Sequence, residues 1–210
     1  MYTAFASVYD RLMADVDYTG WARFYHTLME RYGVARGKVC ECACGTGSLT
    51  IPLSRLGNQM TGVDLSADML FEASQKARKM GAMIPFVNQD MRSLHLHRQM
   101  DAILCTNDGL NYLKDAAEIT DFFRAAWVAL RPGGGLFMDV STPYKLENIL
   151  GDKLYLRAKR ITLRYAKLYS GVEDTDENME KEWKGLNAFT RYSNISSADY
   201  HEVRLKMLEA

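Results

Sequence analysis

From residue 38 onward, hydrophobic positions alternate between two spacings. Short apolar runs over residues 39–44, 59–64, 84–89, 100–105 and 135–140 predict buried strands. Between them, apolar positions at helical spacing predict helices over 48–56, 67–80 and 115–130. Ser66 stands as a cap before the second helix and Gly81 as its stop. Arg131-Pro132-Gly133-Gly134-Gly135 reads as the turn that closes the third helix and opens the last strand. Strands separated by helices need right-handed crossovers, so the pattern predicts a doubly wound, mostly parallel α/β sheet. Ligands of such sheets bind at the carboxyl ends of the strands, where Glu41, Asp64, Asp90 and Thr106-Asn107-Asp108 fall.

The flanks follow other rules. Trp21, Phe24, Tyr25, Leu28, Met29 and Tyr32 share one helical face, opened by Thr19 and closed by Gly33, and Phe5, Val8, Tyr9 and Leu12 form a shorter one upstream. Over 153–169 the apolar residues approach period two, which predicts antiparallel strands, and the acidic run 173–182 after them reads as a hairpin partner or a polar loop. Ser196 and Asp199 resemble a capping box that opens a last helix.

Composition narrows the function. A chain of 210 residues, 48% of them hydrophobic, suits one domain with an insertion. Lys plus Arg and Asp plus Glu both count 26, so no net field draws the protein to nucleic acid or an anionic membrane, and a small-molecule partner is favoured. No apolar run is long enough to span a bilayer and the first residues lack a secretory layout, so a cytoplasmic location is expected. Cys40, Cys42 and Cys44 alternate along one predicted strand and so share a face. They read as strand filling rather than a metal site, because structural zinc ligands come mostly from loops, and no metal is expected.

The chemistry concentrates in Val39-Cys40-Glu41-Cys42-Ala43-Cys44-Gly45-Thr46-Gly47-Ser48, an apolar run with an internal acid that breaks into a glycine-rich turn. Gly45 and Gly47 let the backbone turn sharply and approach a ligand, and Glu41 offers a carboxylate beside that turn. Asp64 ends the next strand at a spacing typical of α/β units that bind nucleosides, where it can accept from two ribose hydroxyls.

These residues resemble the class I S-adenosylmethionine-dependent methyltransferases, in particular a small bacterial group with a Tyr-Asp-x-Leu-Met leader. The leader here runs Tyr9-Asp10-Arg11-Leu12-Met13-Ala14-Asp15-Val16-Asp17-Tyr18-Thr19-Gly20-Trp21. Cys44-Gly45-Thr46-Gly47, Thr61-Gly62-Val63-Asp64-Leu65-Ser66, Gln89-Asp90-Met91-Arg92 and Asp108-Gly109-Leu110-Asn111-Tyr112-Leu113 follow in order.

The resemblance implies a Rossmann-like fold in one domain: a helical lid over 1–36, a cofactor-binding core over 37–150, an inserted antiparallel region over 151–195 and a terminal helix over 196–210. It implies S-adenosylmethionine as cofactor and a small-molecule acceptor methylated on nitrogen or oxygen. Glu41 would sit near the methionine ammonium, with Ala43, Cys44, Gly45 and Gly47 passing the methionine and ribose. Asp64 would take the ribose hydroxyls, Leu65 the adenine face, Asp90 and Met91 the adenine edge, with Met69 alongside. Thr106 and Asn107 would line the sulfonium, covered by Tyr9 and Trp21, whose ring faces attract a cation. Tyr9, Asn107, Asp108 and Tyr112 are the polar candidates for orienting or deprotonating the acceptor. An ordinary core or turn role competes for each, Met91, Leu65 and Asp108 above all. His95 and His97 read as a surface loop.

Two positions depart from the family pattern. Ala43 replaces the usual first glycine, a small change if that residue keeps negative φ. Two further family strands have no counterpart before Ala210. The chain is truncated, the 153–194 region supplies those strands, or an open edge pairs with another subunit in a homodimer.

Among rival functions, a nicotinamide-dependent oxidoreductase calls for a third glycine where Thr50 stands, and a base-modifying enzyme for an Asn-Pro-Pro-Tyr motif where Thr106-Asn107-Asp108-Gly109 stands. A non-catalytic protein that binds S-adenosylmethionine stays open.

Overall fold

A computed structural model describes residues 6, 9–11, 13–14, 16–140, 173 and 175–185. The chain divides into two compact units, residues 1–11 with 17–140 and residues 12–16 with 141–210.

The first unit begins with α1 (Tyr18–Arg31) and β1 (Lys38–Cys42), then α2 (Thr50–Arg55), β2 (Gln59–Asp64) and α3 (Ala67–Lys79). It continues through β3 (Phe86–Asn88), β4 (Met100–Cys105), α4 (Ala116–Ala129) and β5 (Leu130–Met138). All four strand pairings are parallel and the order is β3-β2-β1-β4-β5, as the strand and helix alternation predicts. The chain winds outward from β1 to β3, then crosses back to place β4 on the other side of β1. A crevice therefore opens past the carboxyl ends of β1 and β4, where Cys42 pairs with Cys105.

The helix signals act as read, with local corrections. Ser66 caps α3 by accepting from Met69 N (3.3 Å), and Gly81 follows that helix at φ +69°. The cap of α1 is Asp17, whose carboxylate accepts from Gly20 N (2.9 Å), rather than Thr19 in the first turn. The predicted turn at 131–135 lies inside β5 as a bulge: Met100 pairs with Leu130, yet Ala102 pairs with Gly135. Arg131 Nε donates to Asp101 Oδ1 (2.5 Å) at this point, and a Cβ on Gly134 would lie 3.0 Å from two backbone oxygens.

The core sits on both faces of β1. Cys40 and Cys42 join Val63, Ile103 and Cys105 against Phe122, Ala126 and Ala129 of α4. The opposite face carries Val39 and Glu41, and α1 packs on α2 with Met29, Leu49 and Leu53 fully buried. Trp21 and Tyr25 are buried in α1, while Phe24 stays half exposed.

In the second unit the described part of the expected antiparallel region is helical. Residues Asp176–Gly185 form α5, with Asp176 and Glu177 in the first turn and Lys184 in the last, the placement a helix dipole favours. The acidic run is rich in strong helix formers and poor in β-branched residues, so local preference overrides the hairpin reading there. The expected strands over 153–169 and the helix over 196–210 lie outside the described residues.

Candidate functional site

Strand β1 ends at Cys42, two residues earlier than the apolar run suggests, because the backbone reverses hand at Ala43. Ala43 has φ +54°, Gly45 φ +53° and Gly47 φ +70°. The expectation of a negative φ at Ala43 is thus corrected: a Cβ sits where a glycine costs nothing, at about 1–2 kcal/mol of strain. A Cβ on Gly109, in the turn after β4, would come within 3.2 Å of the Ala43 methyl. Cys44 lies past the end of the strand, with its N–H donating to Val63 O (3.1 Å). Its thiol is buried, which raises its pKa. The four cysteines are free and buried, and no metal-ligating cluster occurs among the described residues.

Asp64 ties the ends of β1 and β2 together. Its Oδ2 accepts from Gly45 N and its Oδ1 from Ser66 N, both at 2.8 Å. Burial raises its pKa while these N–H donors lower it. Each oxygen keeps acceptor capacity, as a carboxylate offers about four lone-pair sites. Beside it Leu65 is two-thirds exposed, although large and apolar, and Met69 is buried in the first turn of α3.

Glu41 is 3% exposed and accepts from Thr50 Oγ1 at 2.5 Å. Burial pushes its pKa up to about 8, opposed by the Thr50 hydrogen bond. Tyr18 and Tyr25 stand close enough for Glu41 to act on them, their pKa raised chiefly by burial and then by neighbouring carboxylates, while the pKa of Tyr9 is raised by burial and then by Tyr18 and Tyr112. Tyr9 and Tyr18 are hydrogen-bonded to each other, and Tyr112 lies close enough to act on Tyr9. Trp21 stacks on Tyr25 with centroids 5.8 Å apart. The leader therefore reaches the glycine loop: Asp10 Oδ1 accepts from Thr46 Oγ1 (2.6 Å) and Ser48 Oγ (3.1 Å), and Asp10 pairs with Lys76.

The turn after β4 completes the constellation. Asn107 and Asp108 both have positive φ, +56° and +61°. The Asp139 carboxylate holds this turn, Oδ2 accepting from Asn107 N (2.8 Å) and Oδ1 from Asp108 N (3.0 Å). Tyr25 OH also donates to Asp139 Oδ2 at 2.8 Å, so one carboxylate joins α1 to the ends of β4 and β5. Thr106 Oγ1 and Asn107 Oδ1 are buried with no hydrogen-bond partner. Asn111 Nδ2 donates to Asp108 Oδ1 (2.9 Å), which gives Asp108 a turn-forming role as well.

Asp90 and Met91 are less free than the resemblance implies. Asp90 caps the 3-10 turn Met91–Ser93, and both its oxygens accept from the Arg92 guanidinium, which holds its pKa below the usual carboxylate range. Arg92 also pairs with Glu118 of α4. An adenine amino group would share Asp90 with this arginine. Met91 is buried in the core cluster, its sulfur 4.0 Å from Cys105 Sγ.

Of the residues named from the sequence, Glu41, Thr106 and Asn107 lie at the ends of β1 and β4, Asp64 ends β2 beside the glycine loop, and Tyr9 stands on the leader near Asp64 and Tyr112. Asp10, Tyr18, Thr50, Lys76 and Asp139 join the site only in the folded chain. Asp10 and Tyr18 lay within the quoted leader; Thr50 and Asp139 carry no local signal, since their partners are set by packing.

Residues 39–134 match the family model described as a methyltransferase domain. The Bacillus subtilis (strain 168) protein "Putative methyltransferase YqeM" is 34% identical over 156 residues, covering 74% of this chain and 61% of its own length. An S-adenosylmethionine-dependent methyltransferase from Clostridium acetobutylicum, solved by crystallography, is 35% identical with TM-score 0.62, covering 71% of this chain and 61% of its own. The glycopeptide N-methyltransferase MtfA, solved with S-adenosyl-L-homocysteine, is 26% identical with TM-score 0.55, covering 63% and 56%. The fold is that of the S-adenosylmethionine-dependent methyltransferases. The chain spans about three fifths of the length of the putative methyltransferases it matches in Bacillus subtilis and Geobacillus. No helix among the described residues is long and apolar enough to cross a membrane.

Proposed function

We propose that the protein is an S-adenosylmethionine-dependent methyltransferase that methylates a nitrogen or oxygen nucleophile of a small molecule. The observation that carries this is the Asp64 carboxylate, fixed by N–H groups from two neighbouring strand ends and still able to accept from two vicinal hydroxyls. The site fits the cofactor's other groups too. Glu41 is buried with one hydroxyl partner and suits an ammonium, and the Thr106 and Asn107 oxygens are buried acceptors without donors. The Trp21 ring of α1, stacked on Tyr25, suits a cation.

Bound S-adenosylmethionine supplies an electrophilic methyl group on a sulfonium. The residues then have three tasks. Asp64 and Glu41 fix the two ends of the donor, which sets the direction of the methyl and replaces chance encounter by a held geometry. Tyr9, Tyr18 and Tyr25 exclude water from the crevice. Asn107, Asp108 and Tyr112 stand at the turn where an acceptor is oriented and its proton received.

The test is titration calorimetry with S-adenosylhomocysteine. Micromolar binding to the wild-type chain, lost on Asp64→Ala without unfolding, is the expected result. No binding by the folded chain sinks the proposal. A second reading is a protein that binds the donor without turnover. Donor binding with no methyl transfer across a broad panel of amines and alcohols favours it.

A further inference from the structure

The turn after β4 is held in a costly shape. Asn107 and Asp108 take left-handed backbone angles in succession, φ +56° and +61°, with no glycine at either position. Asparagine and aspartate enter that region more readily than other side chains, yet it stays sparsely populated even for them. The same turn buries two oxygens, Thr106 Oγ1 and Asn107 Oδ1, that have no hydrogen-bond partner among the described residues. A chain free to relax would turn these atoms toward water or a donor. Backbone strain and unsatisfied oxygens kept together at one strand end mark a shape that the surrounding fold imposes for a ligand.

Asp139, directly after β5, imposes it. Its Oδ2 accepts from Asn107 N at 2.8 Å and its Oδ1 from Asp108 N at 3.0 Å, so two successive amides converge on one carboxylate as in an anion-binding nest. Both bonds form only while both residues keep this hand. Oδ2 also accepts from the Tyr25 hydroxyl at 2.8 Å. Tyr25 is buried, and Glu41 and Cys105, on the strands whose ends open the crevice, lie close enough to act on it. Trp21, one helical turn earlier, stacks on its ring. A single side chain therefore sets two walls, the oxygens of the turn and the aromatic pair of α1.

We infer that Asp139 is a positioning residue for the donor's sulfonium: it holds Thr106 Oγ1, Asn107 Oδ1 and the Trp21–Tyr25 pair in the arrangement that favours the charged donor over the neutral thioether left after methyl transfer. This rests on the methyltransferase reading. Fixed oxygen dipoles and aromatic faces attract a cation and gain little from a neutral sulfur. S-adenosylmethionine and S-adenosylhomocysteine share the adenosine and the amino acid, so Asp64 and Glu41 serve both alike. The difference between their affinities reads the walls that Asp139 sets. A site biased toward the charged form also clears its product more readily.

Titration calorimetry on the full chain measures the ratio of S-adenosylmethionine affinity to S-adenosylhomocysteine affinity. Asp139→Asn should lower this ratio about fivefold, the factor carried by one interaction of hydrogen-bond size, while S-adenosylhomocysteine affinity stays within about twofold of wild type. Asp139→Glu keeps the charge but displaces the carboxylate by one methylene, and should lower the ratio as well. Tyr25→Phe releases only the α1 wall and should lower it less. An unchanged ratio in Asp139→Asn, equal weakening of both ligands as a merely structural role would give, or a wild-type ratio in Asp139→Glu, which would make charge alone the cause, overturns the inference. If Asp139→Asn fails to fold, Asp139→Glu and Tyr25→Phe decide by the same ratio. Binding of neither ligand by the folded wild-type chain would instead sink the underlying methyltransferase reading.

Discussion

Replacing Asp139 by asparagine tests the joint between α1 and the ends of β4 and β5. The native carboxylate accepts three hydrogen bonds, two on Oδ2 from Tyr25 OH and Asn107 N and one on Oδ1 from Asp108 N. An asparagine keeps one acceptor oxygen, which can serve Tyr25 and Asn107, and turns an NH2 group toward the Asp108 N–H. The bond to Asp108 is lost, a bond to a charged group worth about 1.5–3 kcal/mol, and the other two weaken because their acceptor is neutral. Relief of repulsion between Asp139 and neighbouring acids offsets part of this. A net loss of about 2 kcal/mol is expected, which for a chain of this size lowers the melting temperature by roughly 4–8 °C.

Urea unfolding gives the energy, and amide hydrogen exchange at Asn107 and Asp108 gives its location. Tyr25→Phe should cost about 1 kcal/mol. The double variant should lose less than the sum, since both changes remove the same bond. Asp139→Asn within about 0.5 kcal/mol of wild type, with unchanged exchange at both amides, would refute the clamp.

Three further outcomes follow from the same geometry. Ala43→Gly relieves about 1–2 kcal/mol of left-handed strain against about 0.4–1 kcal/mol of added unfolded-state freedom, so it should stabilise slightly, whereas Ala125→Gly within α4 should destabilise; thermal unfolding reads the opposite signs. Glu41 keeps its proton in the folded chain up to about pH 8 but loses it near 4.5 when unfolded, so between those values the folded state binds more protons and stability falls as pH rises. Glu41→Gln should remove this component, at most about 1.4 kcal/mol per pH unit, seen as the difference between the two proteins' stability profiles; parallel profiles would refute it. Gly62→Ala places a Cβ 2.5 Å from Phe86 Cδ1 and 2.8 Å from Cys44 Sγ, and should cost about 1–3 kcal/mol in urea unfolding.

How much of this was legible in advance depends on the range of each interaction. The alternation of strands and helices, the Ser66 cap, the Gly81 stop and the reach of Asp64 to the glycine loop all lie in local spacing, so the sequence by itself determined the parallel α/β class and the loop side of the candidate site. Thr50 reaches Glu41 across nine residues of turn and helix, and Tyr25 reaches Asp139 across 114. No periodicity encodes such partners, because they meet only when separate elements pack. The handedness at Ala43 was equally hidden: alanine prefers negative φ, and the route from β1 into the Asp64-anchored loop overrides that preference by an amount only the folded chain supplies. The acidic run after residue 172 shows the converse, with local helix preference prevailing over the reading of a hairpin partner. Sequence settled which elements form and that an acid ends β2 beside the glycine loop; tertiary structure decided which groups converge at the strand ends, since convergence is a property of packing across the switch between β1 and β4.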